Sequence, residues 1–139
     1  LVDMVCVGEG ENALIELCNR VGRRENYSDV TNLWVKKDGT LIKNSITSPV
    51  DINNSPMIDV SLFEEKRLYR PMAGKWYKML PVETMRGCPY KCAYCNSPNQ
   101  MDLYKTEAKG GFFRNKDSNL IYREIKYFKE DDFKEHFFI

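Results

Sequence analysis

The chain has 139 residues, room for one ordinary domain whose core can offset the entropy of ordering the backbone. A formal net charge of +1 argues against strong general attraction to phosphate. A local cluster such as Arg20, Arg23 and Arg24 is expected as a solvated helix end. No apolar run approaches the roughly twenty residues of a membrane span, and no signal-peptide pattern opens the chain. A soluble, cytoplasmic protein with no membrane partner and no strong nucleic-acid signal is therefore expected.

From the N-terminal side, Val2, Met4, Val5, Cys6 and Val7 form a nearly continuous apolar run, as expected of a strand buried on both faces of a parallel sheet. Gly8 and Gly10 turn the chain. Leu14, Leu17, Cys18 and Val21 then repeat at helical spacing up to a stop at Gly22. Strand, glycine turn and helix make half of an α/β unit. In "NLWVKKDGTLIKN", two β-favouring runs flank Asp38-Gly39, which predicts a hairpin with a type I′ turn. Residues 44–81 hold four prolines among Asn and Ser, and little regular structure is expected there beyond a short helical turn around 61–67.

"LPVETMRGCP" reads as a strand running into a cysteine loop. Residues 96–116 lack periodicity, and Gly110-Gly111 suggests flexibility. Asp117 or Ser118 can then cap a helix whose apolar face holds Ile121, Ile125 and Phe128, and "HFFI" follows as a second strand. The order strand, loop, helix, strand is a βαβ unit with cysteines beyond the first strand's carboxyl end, where α/β folds build sites. The chain opens without Met inside one apparent strand and stops inside another, so an internal fragment of a longer protein is expected.

The five cysteines divide into Cys6 and Cys18, which are scattered, and the trio Cys88, Cys92 and Cys95. That is not the layout of a secreted disulfide framework. Structural zinc prefers four ligands in two distant pairs, and the single histidine, His136, stands about forty residues away. A redox Cys-x-x-Cys pair would leave Cys88 unexplained. Three soft thiolates on a short loop suit a cubane iron-sulfur cluster with one iron left open to a ligand.

"RGCPYKCAYC" resembles the Cys-x3-Cys-x-aromatic-Cys signature of the radical S-adenosylmethionine (radical SAM) superfamily. The resemblance implies that Cys88, Cys92 and Cys95 hold a [4Fe-4S] cluster, that S-adenosylmethionine binds its open iron, and that Tyr94 lies near the adenine. Reductive cleavage of that cofactor to a 5′-deoxyadenosyl radical is the implied chemistry, with no further residue of this chain assigned as catalytic. "VDMVCVGEGENALIEL" is similar to the last strand and helix of the cobalamin-binding domain in B12-dependent members. Gly8, Glu9 and Gly10 would there approach cobalamin. The implied fold class is α/β: residues 1–22 end a Rossmann-like cobalamin-binding domain, residues 23–80 form a connector with a β-hairpin, and residues 81–139 open a partial (β/α) radical SAM barrel.

An Asp-x-His-x-x-Gly cobalamin motif and a Gly-Gly-Glu-like segment for the methionyl amine are absent from these residues, and two strands cannot close a barrel. The fragment alone is not expected to catalyse. The expected whole is a radical SAM enzyme performing cobalamin-associated methyl transfer or a radical rearrangement, with an electron donor such as flavodoxin or ferredoxin and a substrate left unassigned. The alternatives are a methylthiotransferase-like enzyme without cobalamin and a non-catalytic metal-binding module. Among other residues, Glu124 is expected to face water or S-adenosylmethionine, and Arg86 to brace the loop or join an ion pair. Cys6, Cys18 and His136 are expected in the core, and Trp34, Trp76 and Tyr77 as packing residues.

Overall fold

A computed structural model describes residues 2–108, 110–130 and 135–138, with residues 130 and 135–138 described by backbone only. The chain divides into two compact units, each assembled from two stretches distant in sequence: Leu1–Val50 with Gly87–Phe113, and Asp51–Arg86 with Arg114–Ile139.

In the first unit, β1 (Met4–Cys6), β2 (Leu33–Lys37) and β3 (Thr40–Lys43) form a sheet in that order, antiparallel throughout. The turn between β2 and β3 is the expected Asp38-Gly39, with φ of 49° and 78°. Helix α1 (Glu11–Arg23) packs on one face of the sheet, where Ala13, Val30, Leu33 and Val35 are buried with Met4 and Leu17 against them.

Two expectations are corrected here. β1 is not a two-face-buried strand of a parallel sheet: it pairs antiparallel with β2, and Val5 and Cys6 are exposed. An apolar run alone cannot say how many faces are covered, and the adjacent hairpin supplies the nearest edge to pair with. Cys18 is likewise exposed rather than buried. On α1 the residue packed deepest is the small Ala13, while Leu14 and Val21 stay exposed. The helix also runs past Gly22 to a left-handed Arg24 at φ 56°, whose amide closes on Arg20 and Val21 carbonyls. Arg23 and Arg24 are exposed, as expected of a solvated helix end, whereas Arg20 is partly buried and pairs with Glu16 at 2.6 Å and Asp29 at 2.5 Å.

Asn32 ties this unit together. It is buried in the left-handed region at φ 65°. Its carbonyl accepts from the Val7 amide (2.8 Å), its amide donates to the Ser45 carbonyl (2.9 Å), and its side-chain oxygen accepts from the Thr47 amide (2.7 Å). Its Nδ2 donates to the Glu9 carbonyl at 2.9 Å. Asn adopts this backbone at low cost and has both a donor and an acceptor to satisfy. The rest of the unit is α2 (Ser97–Glu107), whose Tyr104 is buried with Ala108 and Ile46 against Val7, Leu103 and Phe112.

In the second unit, 3-10 turns at Val60–Leu62 and Glu65–Leu68 bear out the expected helical turn. The hairpin that follows, β4 (Tyr69–Met72) and β5 (Lys75–Val82), was not expected; it turns at Ala73-Gly74, with φ of 49° and 76°. Pro71 is compatible with β4 because β4 is an edge strand, where a missing N–H costs no ladder bond. A two-residue pairing joins β6 (Met85–Arg86) to β7 (Arg114–Asn115). Helix α3 (Ser118–Glu130) is capped as expected by Asp117, whose carboxylate accepts from the Asn119 amide at 2.8 Å. β8 (Glu135–Phe138) then pairs parallel with β5, Leu80 opposite His136, giving the expected βαβ order. Phe128 and Leu80 form the core beneath α3. The burial expected for the His136 side chain lies outside the described residues.

Replacing Asn32 by Ala strips the Glu9 carbonyl and the Thr47 amide and hydroxyl of their partner and puts a less tolerant residue in the left-handed region. Urea unfolding should show a loss of about 2–4 kcal/mol, with Asn32→Gly losing less because glycine adopts that backbone freely.

Candidate functional site

The cysteine loop starts at Gly87, where φ is +83°. A Cβ built there would stand 2.2 Å from the Phe112 carbonyl oxygen and 2.7 Å from its carbon. The obstacle is backbone, so no side-chain movement relieves it, and glycine is required on both counts. This close approach fastens the entry of the loop to the residues that follow α2.

Within the loop Cys88 and Cys92 are partly buried, Cys95 is exposed, and all three are free thiols. The Cys95 amide donates to the Cys92 carbonyl at 3.1 Å, closing a turn that holds two of the three together. The Ser97 amide, first residue of α2, donates to Cys95 Sγ at 3.4 Å. That backbone bond, helped by the Ser97 hydroxyl and the Asn96 amide, lowers the Cys95 pKa below the ordinary thiol value. Burial and Glu11 push Cys6 the other way.

Among the described residues no three His, Cys, Asp or Glu side chains converge on a point where one metal ion could sit. The structure therefore puts the trio on one loop without gathering it round a single ion. A cube distributes its thiolates over different irons, so its ligands need not converge as those of one zinc do. Three reduced thiols in eight positions, one with its pKa lowered, fit the donor chemistry of an iron-sulfur cluster. Tyr94 is 92% exposed, without a packing role in the loop.

The Gly8-Glu9-Gly10 turn has partners inside the chain. Gly8, at φ +90°, would place a Cβ 2.9 Å from the Tyr104 hydroxyl. Glu9 accepts at Oε2 from the Val50 amide at 2.7 Å. Both residues are thus accounted for by packing of the turn on α2 and on residues 44–50, and neither is left open toward a cobalamin.

Two polar residues find their partners. Arg86 forms a two-pronged pair with Glu83, at 2.8 and 3.1 Å, which is the structural ion-pair reading. Glu124 does not face water: it pairs at 2.5 Å with Lys116, and the two side chains are only 13% and 8% exposed. Sequence reasoning missed this pair because Lys116 lies in the connection before α3, eight residues from Glu124 and outside the helix spacing that would announce it. Trp34 is half-buried under Lys43, at 4.7 Å. Trp76, expected to pack, is 70% exposed.

No protein-family model matches the chain, and no curated protein matches it by sequence. Solved structures do resemble it. The radical S-adenosylmethionine methyltransferase TsrM from Kitasatospora setae, with tryptophan substrate and the SAM analogue aza-SAM bound, superposes with a TM-score of 0.59 at 14% identity. That match covers 99% of this chain and 25% of the other. The same enzyme with cobalamin and a [4Fe-4S] cluster bound gives 0.57 at 15%, over 98% of this chain and 26% of that one. The chain spans about a quarter of the length of these neighbours, and the likeness establishes a shared mixed α/β fold.

The opposed shifts at Cys95 and Cys6 have a direct readout. As pH rises from acid, the thiolate forms first where the folded pKa is lowered, so Cys95 should alkylate with iodoacetamide at a lower pH than Cys6. Mass-spectrometric mapping of the alkylated residues checks the order, which should vanish in denaturant.

Proposed function

We propose that this chain is the cluster-bearing part of a radical SAM enzyme, in which Cys88, Cys92 and Cys95 hold a [4Fe-4S] cluster and Tyr94 borders the adenine of S-adenosylmethionine. The observation that carries the reading is the loop itself: a trio at the signature spacing, entered through a glycine locked against backbone and closed by a cysteine sulfur that accepts from the first amide of a helix. When bound, the cluster supplies the electron that cleaves the sulfonium carbon-sulfur bond. This chain's own part is to hold and orient. Gly87 sets where Cys88 enters, the Cys92–Cys95 turn spaces two ligands, and the Ser97 amide lowers the Cys95 pKa, which eases loss of the proton that ligation requires.

The finer reading is cobalamin-associated methyl transfer or a radical rearrangement. It draws on the methyltransferase neighbour bound to cobalamin and a [4Fe-4S] cluster. On it, residues 1–22 belong to a cobalamin-binding-like domain, 23–80 to a connector and 81–139 to the start of a barrel. No step is assigned to cobalamin, because Gly8 and Glu9 are engaged within the chain. An external low-potential electron donor of the flavodoxin or ferredoxin kind belongs to the same proposal.

Anaerobic reconstitution tests the reading. The intact protein should take up about four irons and four sulfides and show a broad band near about 400 nm. Cys88→Ala, Cys92→Ala or Cys95→Ala should each drop iron below about one per chain and abolish 5′-deoxyadenosine formation, while Cys18→Ala changes neither. Bound zinc without visible absorption would favour the metal-binding module instead.

A further inference from the structure

Between Lys66 and Lys78 the sequence reads KRLYRPMAGKWYK, five cations and three aromatic rings with no carboxylate. A chain-wide charge of +1 averages this concentration away. The segment folds as the second 3-10 turn and the β4–β5 hairpin. Residues opposite each other in an antiparallel ladder share a face, and successive residues alternate between faces. Tyr69, Pro71, Trp76 and Lys78 therefore share one face, and Arg70, Met72, Lys75 and Tyr77 the other. Each face mixes rings with cations.

Two of the three rings are not consumed by packing: Trp76 is 70% exposed and Tyr69 is exposed as well, while Tyr77 is partly buried. Burying an indole is among the larger apolar gains open to a protein, so a bare Trp on a regular strand marks a contact surface. Two of the five cations are also left without a carboxylate. Lys66 and Arg67 share the single carboxylate of Glu64, at 2.8 and 3.8 Å, and among the described residues Arg70 and Lys75 make no ion pair. Beside Tyr69 opens a cavity of about 360 Å³, with Ile58, Phe63 and Leu80 in its wall and Lys66, Arg67 and Arg70 among its lining residues. Its volume is within the range of ligand pockets.

We infer that the β4–β5 hairpin binds single-stranded nucleic acid. Cations interleaved with flat rings are what such a strand requires: the cations follow its phosphates and the rings stack on its bases. Tyr69 and Trp76 stand diagonally across the ladder, roughly 7–8 Å apart by strand geometry, a spacing that lets each take a separate base of one strand. The cavity next to Tyr69 accepts a base in its apolar part while the neighbouring guanidinium and ammonium groups meet the backbone. A duplex keeps its base faces stacked inside and offers the rings nothing. A lipid surface calls for apolar and cationic residues sorted onto opposite sides, which this hairpin does not have. An acidic protein would use the cations and leave the rings idle.

Fluorescence anisotropy with a labelled dodecameric RNA and the matching DNA single strand tests this on the full chain. Both should bind at low salt and weaken as salt rises. Trp76→Leu should cost about 5- to 100-fold in affinity, and Trp76→Tyr, which keeps a ring, should restore most of it. The double variant Arg70→Ala/Lys75→Ala should flatten the slope of log affinity against log salt by about 0.7 for each phosphate the protein no longer neutralises. All the substituted side chains are exposed, and unchanged circular dichroism certifies the fold. The inference is overturned by absence of single-strand binding, by binding that neither Trp76→Leu nor the double variant alters, or by a duplex or a polyglutamate peptide that binds as tightly. The outcome does not depend on whether a cluster is present.

Discussion

The close approach of Gly87 to the Phe112 carbonyl is the constraint on which the cysteine loop depends. Backbone meets backbone there, and φ at Gly87 is positive, so two independent barriers exclude any other residue. It turns residues 87–113 into a closed segment: loop, α2 and return. The ring of Phe112 in turn stacks on Tyr104, 5.7 Å between centroids, and the Tyr104 hydroxyl lies where a side chain on Gly8 would have to go. One chain of contacts thus links the glycine turn after β1, the buried face of α2 and the entry of the cysteine loop. None of these contacts is strong alone. Their effect is to give the thiols a fixed frame on a stretch that has little regular structure of its own.

The polar residues most easily given functional roles are largely occupied in holding that frame and its counterpart. Glu9 serves the Val50 amide, Asn32 serves three backbone segments, Arg86 clasps Glu83, and Lys116 and Glu124 neutralise each other out of water. A buried pair of this kind contributes little as attraction, because desolvation offsets it, yet losing one partner leaves a charge stranded. What remains open to solvent is of a different sort: the ring of Tyr94, the Cys95 thiol, and Tyr69, Arg70, Lys75 and Trp76 of the β4–β5 hairpin. The distinction between engaged groups and those open to solvent separates the scaffold from the candidate sites more cleanly than residue type does.

How much could be read beforehand follows from where the information sits. The Asp38-Gly39 hairpin, the Asp117 cap and the helix face through Phe128 are local signals, and each is found where expected. The helix α2 was not legible because its apolar residues make no one-sided stripe. Pro98 in its first turn was the one usable mark. The hairpin at Ala73-Gly74 lacks the Asn or Asp that usually announces such a turn, and Pro71 argued against a strand until its edge position was known. The antiparallel pairing of β1, the exposure of Cys6 and Cys18, and the Lys116–Glu124 pair all depend on contacts across the sequence that no local pattern encodes. For the site, spacing alone nominated the three cysteines, whereas the geometry that makes Gly87 indispensable is visible only in three dimensions.

The most direct examination of a three-thiolate cage with one open iron is Mössbauer spectroscopy of the protein reconstituted with isotopically enriched iron, with and without S-adenosylmethionine. One quarter of the iron signal should move to a distinct site on adding the cofactor, the remaining three quarters staying put. A spectrum in which every iron stays equivalent, or in which no cluster iron is found, would contradict the account.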